Sequence, residues 1–266
     1  MKSYLSYFKL RFITNLQYRM EAIAGILTQL FFALIYIMIY LAFYESGGNP
    51  PLNWQELVNY LWLQQAFFAL VYPFDRETEL LNMIKNGNLA YELVRPQNFY
   101  FKWYIKMLSK RLVAMLLRFI PIIIISSLLP YPLHLSGPYS LSNLIIFIIA
   151  LILGLLLVTS LNLLMHILTM FTLDEKGTMI TYSVISEILA GSTIPIPFFP
   201  AWLKLIAEHL PFRFIGDFPF RIYSNSIPLE EGYTLILGSI IWIIITIVIG
   251  YLVSRISLKK AVIQGG

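Results

Sequence analysis

The chain alternates between long apolar runs and short polar connections, and six runs are predicted as membrane-spanning helices: Ala22–Tyr44, Glu56–Pro73, Arg111–Pro130, Leu141–Met165, Thr178–Ile194 and Tyr233–Val253. Most reach or approach the ~20 residues needed to cross a bilayer as a helix. The second run is shorter and more polar, with Asn59, Gln64 and Gln65. The third carries Arg118 and Pro121, the fourth is the most apolar, and the fifth carries Glu187. Ahead of them, residues 1–20 place Leu5, Phe8, Phe12 and Leu16 at helical spacing, with Tyr4 beside them, among Lys2, Lys9, Arg11 and Arg19. That pattern predicts an amphipathic helix lying on the membrane surface, with a membrane-proximal extension of the first span as the alternative.

Two connections depart from the pattern. Residues 75–111 form the one long polar break. Within it Thr78 can cap a short helix, with Glu77 and Glu79 near its positive end, and Asn86-Gly87 supplies a residue able to take positive φ and stop it. A second short element follows, and Pro96 disfavours helical geometry at Arg95. The expectation is two short helical pieces around a glycine corner, lying beside the membrane and pushed by a partner protein.

The other exception, residues 195–232, is too apolar for an ordinary exposed loop. It opens with Pro195, Pro197, Phe198 and Phe199, continues with helical spacing at Leu203, Ile206 and Leu210, and ends among Phe212, Phe214, Phe218 and Phe220. Non-helical backbone at membrane depth survives only where protein covers it or it lines a cavity. The segment therefore reads as a re-entrant or interface-lying hairpin closing the outer end of a pathway, with an aromatic anchor in the headgroup layer as the alternative.

Composition agrees with this picture. The 266 residues are 58% hydrophobic and 12% charged, about half the charge of a soluble domain. With no cysteine and three scattered histidines, neither disulfides nor a metal-ligand spacing arise. Orientation follows from lysine and arginine placement. Six spans put both termini on one side, and that side carries fifteen of these residues against three (Lys204, Arg213, Arg221) on the other. Both termini and the 75–111 segment are thus expected in the cytoplasm. The chain reads as a single transmembrane domain, 1–266, of the all-α class.

No phosphate-cradling glycine loop, nucleophile elbow, zinc helix or clustered acid pair is present, so no catalytic residue, cofactor-binding residue or metal ligand is assigned. Energy for uphill movement would have to enter through a partner or a coupled ion. Arg118 and Glu187 are the two charges expected inside the membrane, which makes them candidates for a pathway or an interface. Counted from the inner ends of their spans they lie at comparable depth, ~10 and ~14 Å, which permits a pair, either within the bundle or across a subunit interface. A structural salt bridge, or an Arg118 reaching back to the headgroups, is the alternative. Gln64, Gln65 and Asn162 read as interhelical hydrogen-bonding residues, and His166 as interfacial.

These features together resemble the membrane subunits of ABC type 2 transporters. The likeness is in layout across nearly the whole chain, and locally in Asn86-Gly87-Asn88-Leu89-Ala90-Tyr91-Glu92-Leu93-Val94-Arg95-Pro96 and Leu210-Pro211-Phe212-Arg213-Phe214-Ile215-Gly216-Asp217-Phe218-Pro219. They are similar to stretches of a bacterial branch whose permeases often occur as two subunits with one ATPase.

The resemblance implies a plasma-membrane exporter half with an elbow helix, a second permease and a separate ABC ATPase that holds ATP and magnesium. It also implies a coupling helix in the first cytoplasmic loop, here Glu77–Ile84 with Asn86–Pro96 as its flank. Glu77, Glu79, Leu80, Leu81, Met83, Ile84, Gly87 and Arg95 are the coupling candidates, and the 172–177 loop a lesser contact. The apolar interior favours hydrophobic or amphipathic cargo. The competing reading is a secondary transporter using Arg118 and Glu187 for ion coupling.

Overall fold

A computed structural model describes residues 2–47, 50–73, 75–89, 92, 94, 96–172 and 175–260. Among them the chain is all-α. In chain order the helices are α1 (Lys2–Asn15), α2 (Arg19–Glu45), α3 (Trp54–Ala66), α4 (Phe68–Val71), α5 (Thr78–Lys85), α6 (Phe99–Leu128), α7 (Leu141–Thr172), α8 (Glu175–Leu189), α9 (Ala201–His209), α10 (Asp217–Tyr223) and α11 (Leu229–Lys260).

Four of them, α2, α6, α7 and α11, are long and apolar enough to cross a membrane. The second and fifth predicted spans are shorter than expected. One is divided at Phe67 into α3 and α4, and the other is the 15-residue α8. In return α6 begins at Phe99, twelve residues before its predicted start, α7 continues to Thr172, and α11 covers Leu229–Lys260. Of the loop expected at 172–177, residues 173–174 lie outside the described residues, and helix resumes at Glu175.

Local chemistry sets several of these boundaries. Asn53 and Glu56 form a reciprocal capping box at the start of α3: the Asn53 Oδ1 accepts from the Glu56 N–H at 2.9 Å, and the Asn53 N–H donates to Glu56 Oε2 at 3.0 Å. Asn98 caps α6 by accepting from the Phe101 N–H. Its own N–H donates to the Tyr4 hydroxyl of α1 at 2.9 Å, fixing α1 beside the start of α6. Helix α8 ends in a Schellman turn on Gly191 at φ +71, with the Ser192 N–H donating to Glu187 O and the Gly191 N–H to Ile188 O. Pro121 lies inside α6 without ending it.

Helix α1 corrects its predicted stripe. Tyr4, Phe8 and Phe12 are half-buried against α6, whereas Leu5, Leu10 and Ile13 are exposed. Tyr4 and Tyr7, not Leu5, complete the packed face.

The bundle has two ends. At one lie α1, the 75–89 segment, the start of α6 and the end of α11, whose Tyr251 ring meets Phe101. At the other, Trp54 Nε1 donates to Pro132 O, Asn59 exchanges hydrogen bonds with Ser136, and the Tyr223 hydroxyl donates to Ser136 O. The larger core surrounds the middle of α3 and α10, with Trp62, Phe218 and Phe220 wholly buried. A smaller core at the first end gathers Leu80, Tyr100, Trp103, Met107, Leu163 and Ile167.

Between α8 and α11 the chain folds back into the bundle. A Cβ at Gly154 would stand 2.8 Å from the carbonyl oxygen of Ile215 and 3.1 Å from that of Phe214, so the 211–216 turn lies directly on α7 at that glycine. Gly154 is thirteen residues past Leu141, about 20 Å along the helix. Gly238 of α11 faces the Phe214 ring in the same way.

Candidate functional site

The polar segment and the start of α6 form one ion-paired unit. Lys102, Lys106 and Lys110 recur every fourth residue, so they line one face of α6, and each takes carboxylates from residues 75–92. Lys110 Nζ lies 2.8 Å from Asp75 Oδ1, and Lys106 Nζ lies 2.8 Å from Glu77 Oε1 while also pairing with Glu79. Lys102 pairs with Glu92. Glu77, Glu92, Lys102 and Lys106 are all buried. The Lys106 ammonium also sits 4.5 Å from the centroid of the buried Trp103 ring. A break in the apolar run at 102–111 is thus a polar stripe inside a continuous helix, which is why α6 starts earlier than the apolar pattern alone predicts.

Helix α7 holds the same segment from the other side. Asn162 Nδ2 donates to Asp75 O at 2.7 Å, and the Glu77 N–H donates to His166 Nε2 at 2.9 Å. Nε2 can only accept there, so the proton is on Nδ1, which donates to Asn162 O at 2.7 Å. His166 is wholly buried, which corrects its expected interfacial place. Arg111 closes the end of α4, with donations to Tyr72 O at 2.7 Å and to Leu70 O and Pro73 O. These are the orphan carbonyls a helix end leaves, and a buried guanidinium satisfies several at once.

These outside holds also explain the start of α5. Thr78 is its first helical residue rather than its cap, and Glu77 precedes it without a side-chain cap. The entry is set by His166 and Lys106 instead. The stop is as expected from Asn86-Gly87: Gly87 has φ +67, with the Asn88 N–H donating to Met83 O and the Gly87 N–H to Ile84 O.

Burial divides the predicted coupling residues. Glu77, Leu80 and Leu81 face inwards, and Met83 and Ile84 are half-buried against the smaller core. Glu79 is exposed, together with Thr78, Asn82, Lys85 and Asn86. Gly87 is at the corner; Arg95, and most of the second short element expected there, lie outside the described residues.

Electrostatics favours the charged form of two of these carboxylates. Burial by itself pushes the Asp75 carboxyl up, but Arg111 and Lys110 beside it outweigh that and hold it below its ordinary value. Glu79 behaves alike, with Lys106 outweighing burial. Both depressed carboxylates stabilise the folded state above their unfolded values, about 4, and that contribution is lost as pH falls through the still lower folded values. Hydrogen exchange at the α5 amides of a His166→Gln variant, which has no imidazole to titrate at this contact, is therefore expected to stay slow from pH 8 to about 5 once corrected for intrinsic rate, and to loosen only below about pH 4; loosening of that variant near pH 6 would contradict this assignment.

Within this chain Arg118 and Glu187 do not form the pair their depth permits. Arg118 reaches α2, where its Nη2 donates to Glu21 O at 3.4 Å over Gly25. Glu187 lies beside the Tyr72 hydroxyl. Of the predicted gate residues, Pro195 is buried and Pro197, Phe198 and Phe199 are half-buried. The Phe198 ring packs on Tyr40 and Phe43 of α2, at centroid distances of 5.2 and 6.2 Å.

Sequence reasoning missed three further features. The lysine repeat on α6 and its matching acids were visible as spacing, and His166 and Asp217 were not. Asp217 is wholly buried under the returning segment, within 3.4 Å of Arg221 Nη1 and of the Tyr60 hydroxyl. Gln64 donates to the Gly191 and Ser192 carbonyls, so it holds the turn that follows α8 instead of bonding to a neighbouring helix.

Comparison with known proteins bears on what this arrangement serves. Searches of curated proteins and of solved structures found no significant match. Residues 24–265 match the family described as ABC-2 family transporter protein, which takes in every helix from α3 to α11 and nearly all of α2. The chain belongs to that family, as the multi-pass membrane permease subunit of an ABC transporter, a transport subunit that associates with an ABC ATPase.

Proposed function

We propose that this chain is half of an ATP-driven exporter, that α5 receives the movement of a separate ATPase, and that the lysine face of α6 and His166 of α7 carry it into the membrane. The observation behind this reading is the two-sidedness of α5. Its entry residue Glu77 is held to two long helices by a buried ion pair and a hydrogen bond, and Leu80 and Leu81 pack inwards, while Thr78, Glu79, Asn82, Lys85 and Asn86 remain exposed. A short element held this way moves as a rigid body, so a displacement applied outside is delivered inside.

In this reading α2, α3–α4, α6, α7, α8 and α11 are the six spans, α1 is the elbow helix, and the charge-rich end with both termini is cytoplasmic in a bacterial plasma membrane. Residues 195–232 form the re-entrant hairpin at the outer end, a placement supported by the contact of the 211–216 turn with Gly154. ATP and magnesium stay on the partner. A second permease, identical or paralogous, completes a pathway for hydrophobic or amphipathic cargo. The exposed Ile180, Val184, Ile185 and Ile188 of α8 suit contact with it or with lipid. Arg118 and Glu187, held on different partners, do not favour an ion-coupled mechanism.

The test is co-purification. Replacing Asn82 by Arg together with Lys85 by Glu is expected to remove a co-expressed ATPase at unchanged thermal stability, since neither side chain is buried. Retention of the ATPase by that variant would place the contact elsewhere. Vanadate-sensitive ATPase activity of the whole complex in lipid, stimulated by amphiphiles, tests the cargo class.

A further inference from the structure

A cavity of about 580 Å³ opens between α1, the start of α2, α4, the 75–79 segment and α6. That volume lies within the range of small-molecule sites. Six cationic side chains line it against four carboxylates. Three of those carboxylates, Asp75, Glu77 and Glu79, are already paired with Lys106 and Lys110. The fourth, Glu21, faces Arg11, Arg111 and Arg118 across the space, so the lining keeps a surplus of positive charge.

Two of these guanidinium groups have unmet capacity. Arg111 is 2% exposed, and its Nε, inside the protein, has no hydrogen-bond partner although its other nitrogens reach carbonyls. The Nε of Arg118 is likewise buried and unpartnered, and its bond to Glu21 O is long at 3.4 Å. Gly25 makes room for Arg118, since a Cβ there would stand 2.7 Å from Cζ. A charge this deep in a span is costly unless something meets it.

The surroundings say what does. Arg118 lies seven residues along α6 from Arg111, about 10 Å, so the cavity runs along α6 from the polar 75–79 segment towards the apolar part of that helix. Tyr18, at the corner between α1 and α2, lines it, and next to it Met20, Ile23 and Leu27 of α2 are exposed. An apolar strip thus leads away from a cationic pocket. Guanidinium forks match phosphate oxygens in geometry and charge, and basic pockets between membrane helices suit phospholipid headgroups.

We propose that this cavity binds the phosphodiester of an anionic glycerophospholipid, with Arg118 and Arg111 as its partners and the acyl chains lying along α2. A lipid so held would tie α1 and α2 to α6 beside the ion-paired segment. The site does not depend on whether α5 receives an ATPase.

The experiment titrates the purified full-length protein in detergent with dioctanoyl phosphatidylglycerol, dioctanoyl phosphatidylcholine or inorganic phosphate. Bound lipid is read by native mass spectrometry and protection by the thermal midpoint, which a ligand of the folded state raises. Phosphatidylglycerol is expected to bind and protect, and phosphatidylcholine to do neither. Arg118→Gln is expected to weaken phosphatidylglycerol by about ten-fold, the cost of losing charged hydrogen bonds. Lys259→Gln, an exposed charge at the same end, is expected to leave it unchanged. Should Arg118→Gln not fold, Arg11→Gln on α1 carries the test, with weaker phosphatidylglycerol binding expected. Equal binding of the two lipids, or wild-type affinity in the folded arginine variant, overturns the proposal. Full protection by inorganic phosphate alone assigns the pocket to free phosphate and overturns the lipid reading.

Discussion

Replacing Lys106 by methionine is expected to detach α5 from the bundle. The ammonium bridges two carboxylates, and one of them, Glu77, is buried at the start of α5. Removing one partner of a buried pair leaves the other charge desolvated, at a cost of about 3–5 kcal/mol. Much of that cost is local, because α5 can lift away and rehydrate Glu77 while α6 remains helical. The expected result is fast hydrogen exchange across residues 77–85 with the spans still protected, and loss of ATPase stimulation by the permease. Adding Glu77→Gln removes the stranded charge and should recover part of the stability, a non-additivity that only directly interacting residues show. If the single variant keeps wild-type exchange at α5, the clamp is not what holds it.

Replacing Gly154 by valine is expected to disorder the returning segment at the opposite end. Even a Cβ at this position would meet backbone oxygens of Phe214 and Ile215 at 2.8 and 3.1 Å, and backbone cannot rotate aside as a side chain can. Overpacking of a filled core costs about 1–3 kcal/mol or more, and here the turn must move as a unit, taking Asp217 and its contacts with Arg221 and Tyr60. The thermal midpoint should fall, and cysteines placed at Phe198 or Phe199 should become more reactive. Gly47→Val, at a turn where a Cβ meets nothing within 4 Å, serves as the contrast, its own cost being confined to the φ of +81. Unchanged midpoint and reactivity in Gly154→Val would mean that the segment does not rest on α7 in the membrane.

The two variants act at the two ends of one path. Helix α7 carries Gly154 under the returning turn and His166 against the start of α5, twelve residues away, about 18 Å along the same rigid helix. A displacement of α5 therefore has a direct mechanical route to the segment at the far end, with no flexible loop between them. Combining Lys106→Met with a probe at Phe198 examines that route.

What the chain determined by itself is whatever depends on neighbours in sequence. Apolar runs longer than a bilayer's thickness named the four long helices, because burying that much apolar surface has few other solutions. Asn86-Gly87 marked the end of α5, since the turn after a helix needs positive φ and glycine takes it without strain. The polar character of residues 75–111 marked the candidate site. The tertiary structure decided the rest. Whether Lys102, Lys106 and Lys110 interrupt a helix or line its face depends on carboxylates up to 35 residues away. Whether Leu80 and Leu81 meet a partner or a core depends on where α6 and α7 stand. Within the chain Arg118 meets Glu21 and Gly25, not Glu187, because α2 stands beside α6 there, a neighbourhood that the apolar pattern of a nearly uncharged span does not encode. Charges and glycines in a membrane helix are read locally as costs, and only the packed bundle shows which neighbour meets them.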